Sequence, residues 1–259
     1  MTKLSVNINK IATLRNSRGG QMPNVLNAAI DVQEFGADGV TVHPRPDERH
    51  ITKQDVYDIK GVIKTEFNIE GYPSPDFMLL VKNVRPHQVT LVPDSPDAIT
   101  SNAGWDTTKH KAFLKEIVAE LKEHGIRTSI FVDTTLEFIE SAADIGTDRI
   151  ELYTEPYALN FPKDPEAAVA PFIEAANLAK RLGLKVNAGC SVWICRPRAS
   201  ASRRALASPT DEPSSAVTSR PSPARCAALR PSPSPMDSTR PPAGNAPASA
   251  RRNALGSVP

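Results

Sequence analysis

The chain has 259 residues and a formal charge of +2, but residues 1–189, with 21 basic and 26 acidic side chains and no cysteine, carry −5. Residues 190–259 hold all three cysteines, 12 of the 24 prolines, ten arginines, three acidic residues and no lysine, which gives this segment +7. The cysteine-free body excludes a disulfide framework, MTKLSVNINK lacks the apolar core of a secretory signal, and no run of 18 apolar residues could span a membrane, so we expect a soluble cytoplasmic protein.

Residues 1–189 alternate between short apolar segments and amphipathic ones, a pattern typical of strands followed by helices. The predicted strands are 3–8, 39–43, 67–70, 88–92, 127–132, 149–153 and 184–188. The predicted helices are 24–35, 51–66, 75–84, 108–124, 136–143 and 165–182. Thr52 is a suitable N-cap for the second helix. Strict alternation of this kind predicts a parallel sheet with helical crossovers.

An open doubly wound sheet and a (β/α)8 TIM-type barrel both fit this order of elements. Polar or glycine residues close or follow nearly every predicted strand: Asn7, Asn9, His43, Glu70, Thr100, Glu151 and Gly189. Contributions from nearly all strands favour a barrel mouth, because an open sheet would concentrate them at one switch point. The first strand is not followed by the glycine fingerprint of a dinucleotide site. We therefore predict a barrel.

The segment RNSRGG, residues 15–20, is placed in the first strand-to-helix loop by this assignment. Guanidinium groups suit phosphate oxygens, and glycines let backbone N–H groups approach an anion. A flexible solvated loop would have the same composition, so an anion site and a plain loop both remain open here.

The segment TVHPRPDERHIT, residues 41–52, places His43 at the end of a strand and Arg45, Arg49 and His50 just after it. A lone histidine is most often structural. Two histidines and two arginines within eight residues instead favour a site that binds an anionic substrate and moves protons.

Glu70 and Glu151 each lie at the end of an apolar strand, where partial burial raises the pKa of a carboxyl toward a useful acid–base range. A salt bridge to one of the arginines is the structural alternative. Tyr153, Glu155 and Tyr157 are interpreted as rim residues. The sequence has no metal-ligand spacing, no nucleophile elbow and no Walker loop. The residues thus indicate a barrel enzyme for small phosphorylated substrates, with no evident metal or cofactor.

The same segments resemble the pyridoxine 5′-phosphate synthase family of deoxyxylulose-dependent vitamin B6 biosynthesis. The resemblance covers residues 3–189 and is carried by VNINKIATLRNSRGG, GADGVTVHPRPDERHIT, FNIEGYPS, HQVTLVPD, ITSNAGWD, RIELYTEPYA and GLKVNAG. It implies a TIM-barrel transferase that condenses 3-amino-2-oxopropyl phosphate with 1-deoxy-D-xylulose 5-phosphate, giving pyridoxine 5′-phosphate, phosphate and water. It further implies no metal or organic cofactor, no nucleic-acid or membrane partner, and a cytoplasmic homo-octamer.

The resemblance also assigns roles to individual positions of this chain. His43 is the proton acceptor, Glu70 a second acid–base group and Glu151 a stabiliser of the transition state. The implied substrate-binding residues are Asn7, Asn9, Lys10, Arg18, Arg45, His50 and Thr100. Asn9-Lys10 stands where other members have Asp-His.

The similarity stops where the composition changes. The family continues NAGH, with the histidine as proton donor, whereas this chain reads NAGC, so Cys190 occupies the donor position. Residues 190–259 show no recognisable last helix, strand and helix, and their proline content is incompatible with regular elements, so we expect a disordered tail. Out-of-frame translation explains this change, and a genuine basic extension is the alternative. Two hypotheses follow: an active synthase, or an inactive product of a damaged gene.

Overall fold

Seven parallel strands form one sheet whose spatial order follows the chain. The strands are β1 (Ser5–Asn7), β2 (Gly39–Val42), β3 (Glu66–Gly71), β4 (Gln88–Leu91), β5 (Arg127–Val132), β6 (Arg149–Leu152) and β7 (Lys185–Ala188). A doubly wound sheet reverses its strand order, whereas this one never does. The computed structural model describes residues 2–17, 19–93 and 103–189, and within them the predicted TIM-like α/β architecture is confirmed.

Side chains alternate strictly between the two faces of this sheet. The face that packs against the helices is apolar and mostly buried, with Val40, Phe67, Ile69 and Ile130 among its fully buried members. The opposite face is mostly polar, and its central part is also buried at Thr41, Asn68, Gln88, Thr90 and Ser129. Parallel sheets usually have continuous apolar strands because both faces are covered by apolar groups. Here one face instead carries hydrogen-bonding side chains.

The sheet curls toward its polar face into a half-barrel. Asn187 of β7 donates from Nδ2 to the Ser129 hydroxyl of β5 at 3.5 Å. This contact skips one strand, and in a flat sheet strands two apart are separated by roughly 9.5 Å. Curvature brings such side chains together, so the polar groups face a common interior.

Eight helices flank the sheet within the described ranges. They are α1 (Asn9–Ser17), α2 (Val25–Glu34), α3 (Lys53–Val62), α4 (Pro75–Val84), α5 (Lys111–Glu123), α6 (Leu136–Ile145), α7 (Glu155–Asn160) and α8 (Pro165–Arg181). The six predicted helices are all present. Helices α1 and α7 were not predicted, and the assignment of Arg15 to a loop was wrong, because α1 extends to Ser17.

Side-chain caps define where several helices begin. The Thr52 hydroxyl accepts from the Asp55 backbone N–H at 3.1 Å, and the Asp55 carboxylate accepts from the Thr52 backbone N–H at 2.8 Å. This reciprocal capping box confirms Thr52 as the N-cap of α3. Asp55 also forms a two-oxygen ion pair with Arg15 at 2.5 and 2.9 Å, so one carboxylate both caps α3 and attaches α1 to it.

Four sequence expectations fall outside the described residues: the sites at Arg18, Thr100 and Cys190, and the disordered tail at 190–259. Within the described ranges, every helix is too short or too polar to cross a membrane.

Two glycines offer a matched test of the packing. A Cβ at Gly104 would lie 2.4 Å from backbone atoms of Val132 and Asp133, whereas a Cβ at Gly61 in α3 would meet no atom within 4 Å. We expect Gly104→Ala to lower the free energy of unfolding by about 2 kcal/mol or more, through overpacking. Gly61→Ala should raise it by about 0.5–1 kcal/mol, because alanine favours the helix. Urea unfolding of both variants measures this, and equal effects would contradict the packing at Gly104.

Candidate active site

His43 and Glu70 meet at the carboxyl ends of neighbouring strands. His43 directly follows β2, and Glu70 is the penultimate residue of β3. The His43 Nδ1 and Glu70 Oε2 atoms are 3.9 Å apart, and the two side chains are 14% and 15% exposed. The pair therefore lies on one face and keeps limited access to solvent, as an acid–base site at a barrel mouth requires.

His43 is held in its neutral form. Burial lowers its pKa to about 3, with further lowering by the charges of His50 and Arg45. Its backbone N–H donates to the Asn9 side-chain oxygen at 2.8 Å, which fixes the end of β2 against α1. At neutral pH the imidazole is therefore uncharged and able to accept a proton.

His50 lies beside His43 in a cationic environment. The two ring centroids are 5.8 Å apart, and His50 Nδ1 accepts from the Ile51 backbone N–H at 2.9 Å. Burial lowers the His50 pKa, and the positive charges of Arg45 and Lys10 lower it further. The buried Arg45 and the exposed Lys10 thus surround the histidines with positive charge, which suits an anionic ligand.

Side chains of helix α1 hold the backbone at His50 in place. Arg15 Nη2 and Asn16 Nδ2 both donate to the His50 backbone oxygen, at 3.2 and 2.9 Å. Since Arg15 is also paired with Asp55, its role is structural, and of the two interpretations left open for RNSRGG the anion site does not extend to Arg15. In the same way, exposed Arg49 pairs with Asp47.

Glu151 on β6 is the third acid–base candidate. It is partly buried, and burial raises its pKa to about 7, although a hydrogen bond from Thr90 acts in the opposite direction. Its Oε1 lies 3.7 Å from the position that a Cβ on Gly189 would occupy, at the carboxyl end of β7. A carboxyl that titrates near neutral pH can both donate and accept protons under physiological conditions.

A row of buried polar side chains beneath these groups was not anticipated. Asn68 Nδ2 donates to the Thr41 hydroxyl at 3.3 Å, and Asn68 Oδ1 accepts from Gln88 Nε2 and the Thr90 hydroxyl at 3.2 and 3.1 Å. The signal was present in the sequence: parallel strands with alternating polar residues cannot have two apolar faces.

The remaining candidates lie at the edges of this arrangement. Asn7 is exposed at the end of the edge strand β1, and its side-chain oxygen accepts from the Asn9 backbone N–H at 3.0 Å. The Tyr153 hydroxyl donates to the Glu155 carboxylate, and Glu155 begins α7. This position agrees with the interpretation of Tyr153 and Glu155 as rim residues.

A curled parallel α/β sheet that carries a neutral histidine, carboxyl groups and cations at its strand ends has the architecture of a TIM-like enzyme. The family model "Pyridoxal phosphate biosynthesis protein PdxJ" matches residues 4–194. The chain belongs to this family.

Similar proteins include the pyridoxine 5′-phosphate synthase of Bacteroides fragilis, which is 65% identical over 189 residues, or 73% of this chain and 80% of that protein. The pyridoxine 5′-phosphate synthase of Cytophaga hutchinsonii is 60% identical over 73% of this chain and 79% of that protein. A crystal structure of mandelate oxidase with 3,3-difluoro-2-hydroxy-3-phenylpropionic acid has a TM-score of 0.47 and 10% identity, covering 70% of this chain and 66% of that chain. This last likeness is too weak to bear on function.

Burial of Glu151 should make the stability of the folded chain depend on pH. Because its pKa is about 7 in the folded chain against an ordinary 4.5, its contribution to stability is complete below pH 4.5 and is lost as pH rises through 7. The glutamine in Glu151→Gln does not titrate between pH 4.5 and 8. We expect it to be the more stable protein at pH 8, by on the order of 2–3 kcal/mol, with the advantage shrinking toward pH 4.5.

Thermal unfolding of both proteins across pH 4.5–8 measures this difference. Glu155→Gln, at the exposed start of α7, is the control and should follow the parent at every pH. If the stability of Glu151→Gln varied with pH in parallel with that of the parent, the pKa of Glu151 would not be raised in the folded chain.

Proposed function

We propose that the chain is a pyridoxine 5′-phosphate synthase, which condenses 3-amino-2-oxopropyl phosphate with 1-deoxy-D-xylulose 5-phosphate. The observation that carries this proposal is the neutral His43 beside Glu70, enclosed by cationic side chains. That combination suits proton transfer on a negatively charged substrate. Family membership over residues 4–194 supplies the reaction.

The cationic groups would bind the phosphates. Two phosphorylated substrates bring up to about four negative charges into one site, and guanidinium and ammonium groups offset such charge. Arg45 and Lys10 both act electrostatically on His50, so a phosphate bound beside His50 would be attracted by both cations. The full proposed substrate-binding set is Asn7, Asn9, Lys10, Arg18, Arg45, His50 and Thr100.

The acid–base groups would carry the proton transfers. Imine formation, dehydration, phosphate elimination and ring closure each need a proton moved at a positioned atom. Neutral His43 is suited to accept the first proton, and Glu70, whose carboxylate is 3.9 Å away, is suited to stabilise the imidazolium that results or to pass the proton on. Glu151, with a pKa of about 7, would stabilise positive charge in the transition state when it is ionised.

We further propose that residues 1–189 form the synthase domain and that Cys190 occupies the position of the family's proton donor. A thiol is a weaker donor than an imidazolium near neutral pH, because its ordinary pKa is near 8.5 rather than 6.5. By resemblance, we also propose a cytoplasmic homo-oligomer, which in this family is an octamer.

The first test is product formation from both substrates by the purified full chain. We expect measurable turnover, and we expect His43→Asn and Glu70→Gln each to lower kcat about 100- to 10,000-fold. His124→Asn is the matched control, because that ring contacts the Glu120 carbonyl at the end of α5. Turnover no higher than the uncatalysed background would favour an inactive product, and an equal loss in the control would contradict the role of His43.

A second test concerns the proton donor. Restoring an imidazole by Cys190→His should raise kcat about 100-fold or more, as a positioned general acid typically contributes. Cys195→His makes the same change just beyond the matched residues 4–194 and should leave kcat unchanged. An equal response of the two variants would contradict the assignment of position 190.

A further inference from the structure

Thr154, between β6 and α7, makes a hydrogen bond that helix capping does not explain. It stands at the N-cap of α7, but its side chain accepts no bond from the described first turn of that helix, and its backbone (φ −101°, ψ 1°) is not in the extended conformation usual at an N-cap. Its hydroxyl instead donates to the Gly189 carbonyl oxygen, 2.8 Å away. Thr154 thus joins the segment after β6 to the residue that directly follows β7.

The segment that carries Thr154 is itself fixed. The Tyr153 backbone N–H donates to the Val132 carbonyl, at the end of β5, at 2.9 Å. The Tyr153 ring also packs edge-on against Phe131 of β5, with the ring centroids 5.6 Å apart. Thr154 therefore holds Gly189 from a support that is anchored to β5.

The end of β7 gains an attachment from this bond. Within the described ranges, β7 has a single neighbouring strand, β6, and their last register pair is Leu152 with Ala188. Ala188 and Gly189 are exposed, so side-chain packing does little to fix them. The Thr154 bond continues the attachment of β7 to the β6 segment one residue beyond the ladder.

The position held in this way lies against a candidate catalytic carboxyl. Glu151 Oε1 is 3.7 Å from the point that a Cβ on Gly189 would occupy. In the sequence Gly189 is followed by Cys190, to which the proposed function assigns the position of the proton donor. Because a peptide bond is planar, the orientation of the Gly189 carbonyl sets the direction in which the chain leaves Gly189.

We propose that Thr154 is a positioning residue, whose hydroxyl holds the peptide plane at Gly189 and so directs the side chain at position 190 toward the reaction. The role requires a donor, because a carbonyl oxygen only accepts. The catalytic consequence rests on the proposed synthase function, whereas the hydrogen bond in the free protein does not.

The first measurement follows the hydrogen bond in the absence of substrate. In protein labelled with ¹³C at the glycine carbonyl, the Gly189 signal is the one missing from Gly189→Ala. Thr154→Val keeps the shape of the side chain but removes the donor, so this signal should move upfield, as expected for a carbonyl that loses an accepted hydrogen bond. Thr154→Ser retains the hydroxyl and should leave the signal near its parental position.

Thr135→Val is the matched control. Thr135 is the N-cap of α6, the helix that follows β5, and its side chain likewise makes no capping bond to the described residues of its helix. The same change from hydroxyl to methyl is therefore made at an equivalent place on the neighbouring strand-to-helix connection. It should leave the Gly189 signal and the turnover unchanged.

A cycle of variants tests whether Thr154 acts through position 190. Adding Thr154→Val to Cys190→His should lower kcat about tenfold with KM little changed, because a misdirected general acid loses part of its roughly 100-fold contribution. In Cys190→Ala the donor is absent, so adding Thr154→Val should leave kcat unchanged. Adding Thr154→Ser to Cys190→His should retain the rate, because the hydroxyl is kept.

The outcomes separate the alternatives. A tenfold loss that persists in Cys190→Ala would overturn the proposal, since Thr154 would then act through another group, such as Glu151. An equal loss in Thr135→Val, or a Gly189 signal that Thr154→Val leaves in place, would contradict it as well. If Thr154→Val does not fold, Thr154→Ala removes the hydroxyl without introducing a second methyl group and should give the same results. If no variant turns over substrate but the Gly189 signal responds to valine and not to serine, the synthase function fails and the positioning of Gly189 by Thr154 stands.

Discussion

The alternation of side chains along seven parallel strands in continuous register is the constraint on which the rest of this structure depends. Because the period of a strand is two, a slip of one residue would exchange Val40 and Ile69 with Thr41 and Asn68, and would bury polar groups against the helices. The register therefore fixes which groups face the interior. It also places the carboxyl ends of β2, β3 and β6 at one edge, where the candidate acid–base residues lie.

Burial acts on the histidine and carboxyl in the same physical sense. It disfavours the charged form of each, so the pKa of His43 falls to about 3 while that of Glu151 rises to about 7. At neutral pH His43 is therefore uncharged and has a lone pair free to take a proton, whereas Glu151 is near its midpoint, where a carboxyl can both donate and accept. The polar row limits the cost of this burial, since each side-chain polar atom of Asn68 and Gln88 has a hydrogen-bond partner beneath the site.

The sequence predicted most of the framework, because apolar periodicity reports burial. The strands, six helices and the Thr52 cap follow from such patterns, and Pro75–Val84 was predicted to the residue. Helix α1 was missed because Asn9–Ser17 buries only Ala12 and so has almost no apolar stripe. The role of Arg15 was missed for a different reason: its partner Asp55 is 40 residues away, and composition cannot distinguish an internal ion pair from an anion ligand.

Helix α1 shows how a segment with little core of its own can control a site. Asn9 accepts from the His43 backbone, and Asn16 donates to the His50 backbone, so the two ends of one helix hold the chain at both histidines. Each contact is a single hydrogen bond, worth about 1 kcal/mol alone. The contact at Asn9 also holds the end of β2 against α1, where His43 is buried. Burial is the largest cause of the low pKa of His43, so the contacts of α1 help to keep the proton acceptor neutral.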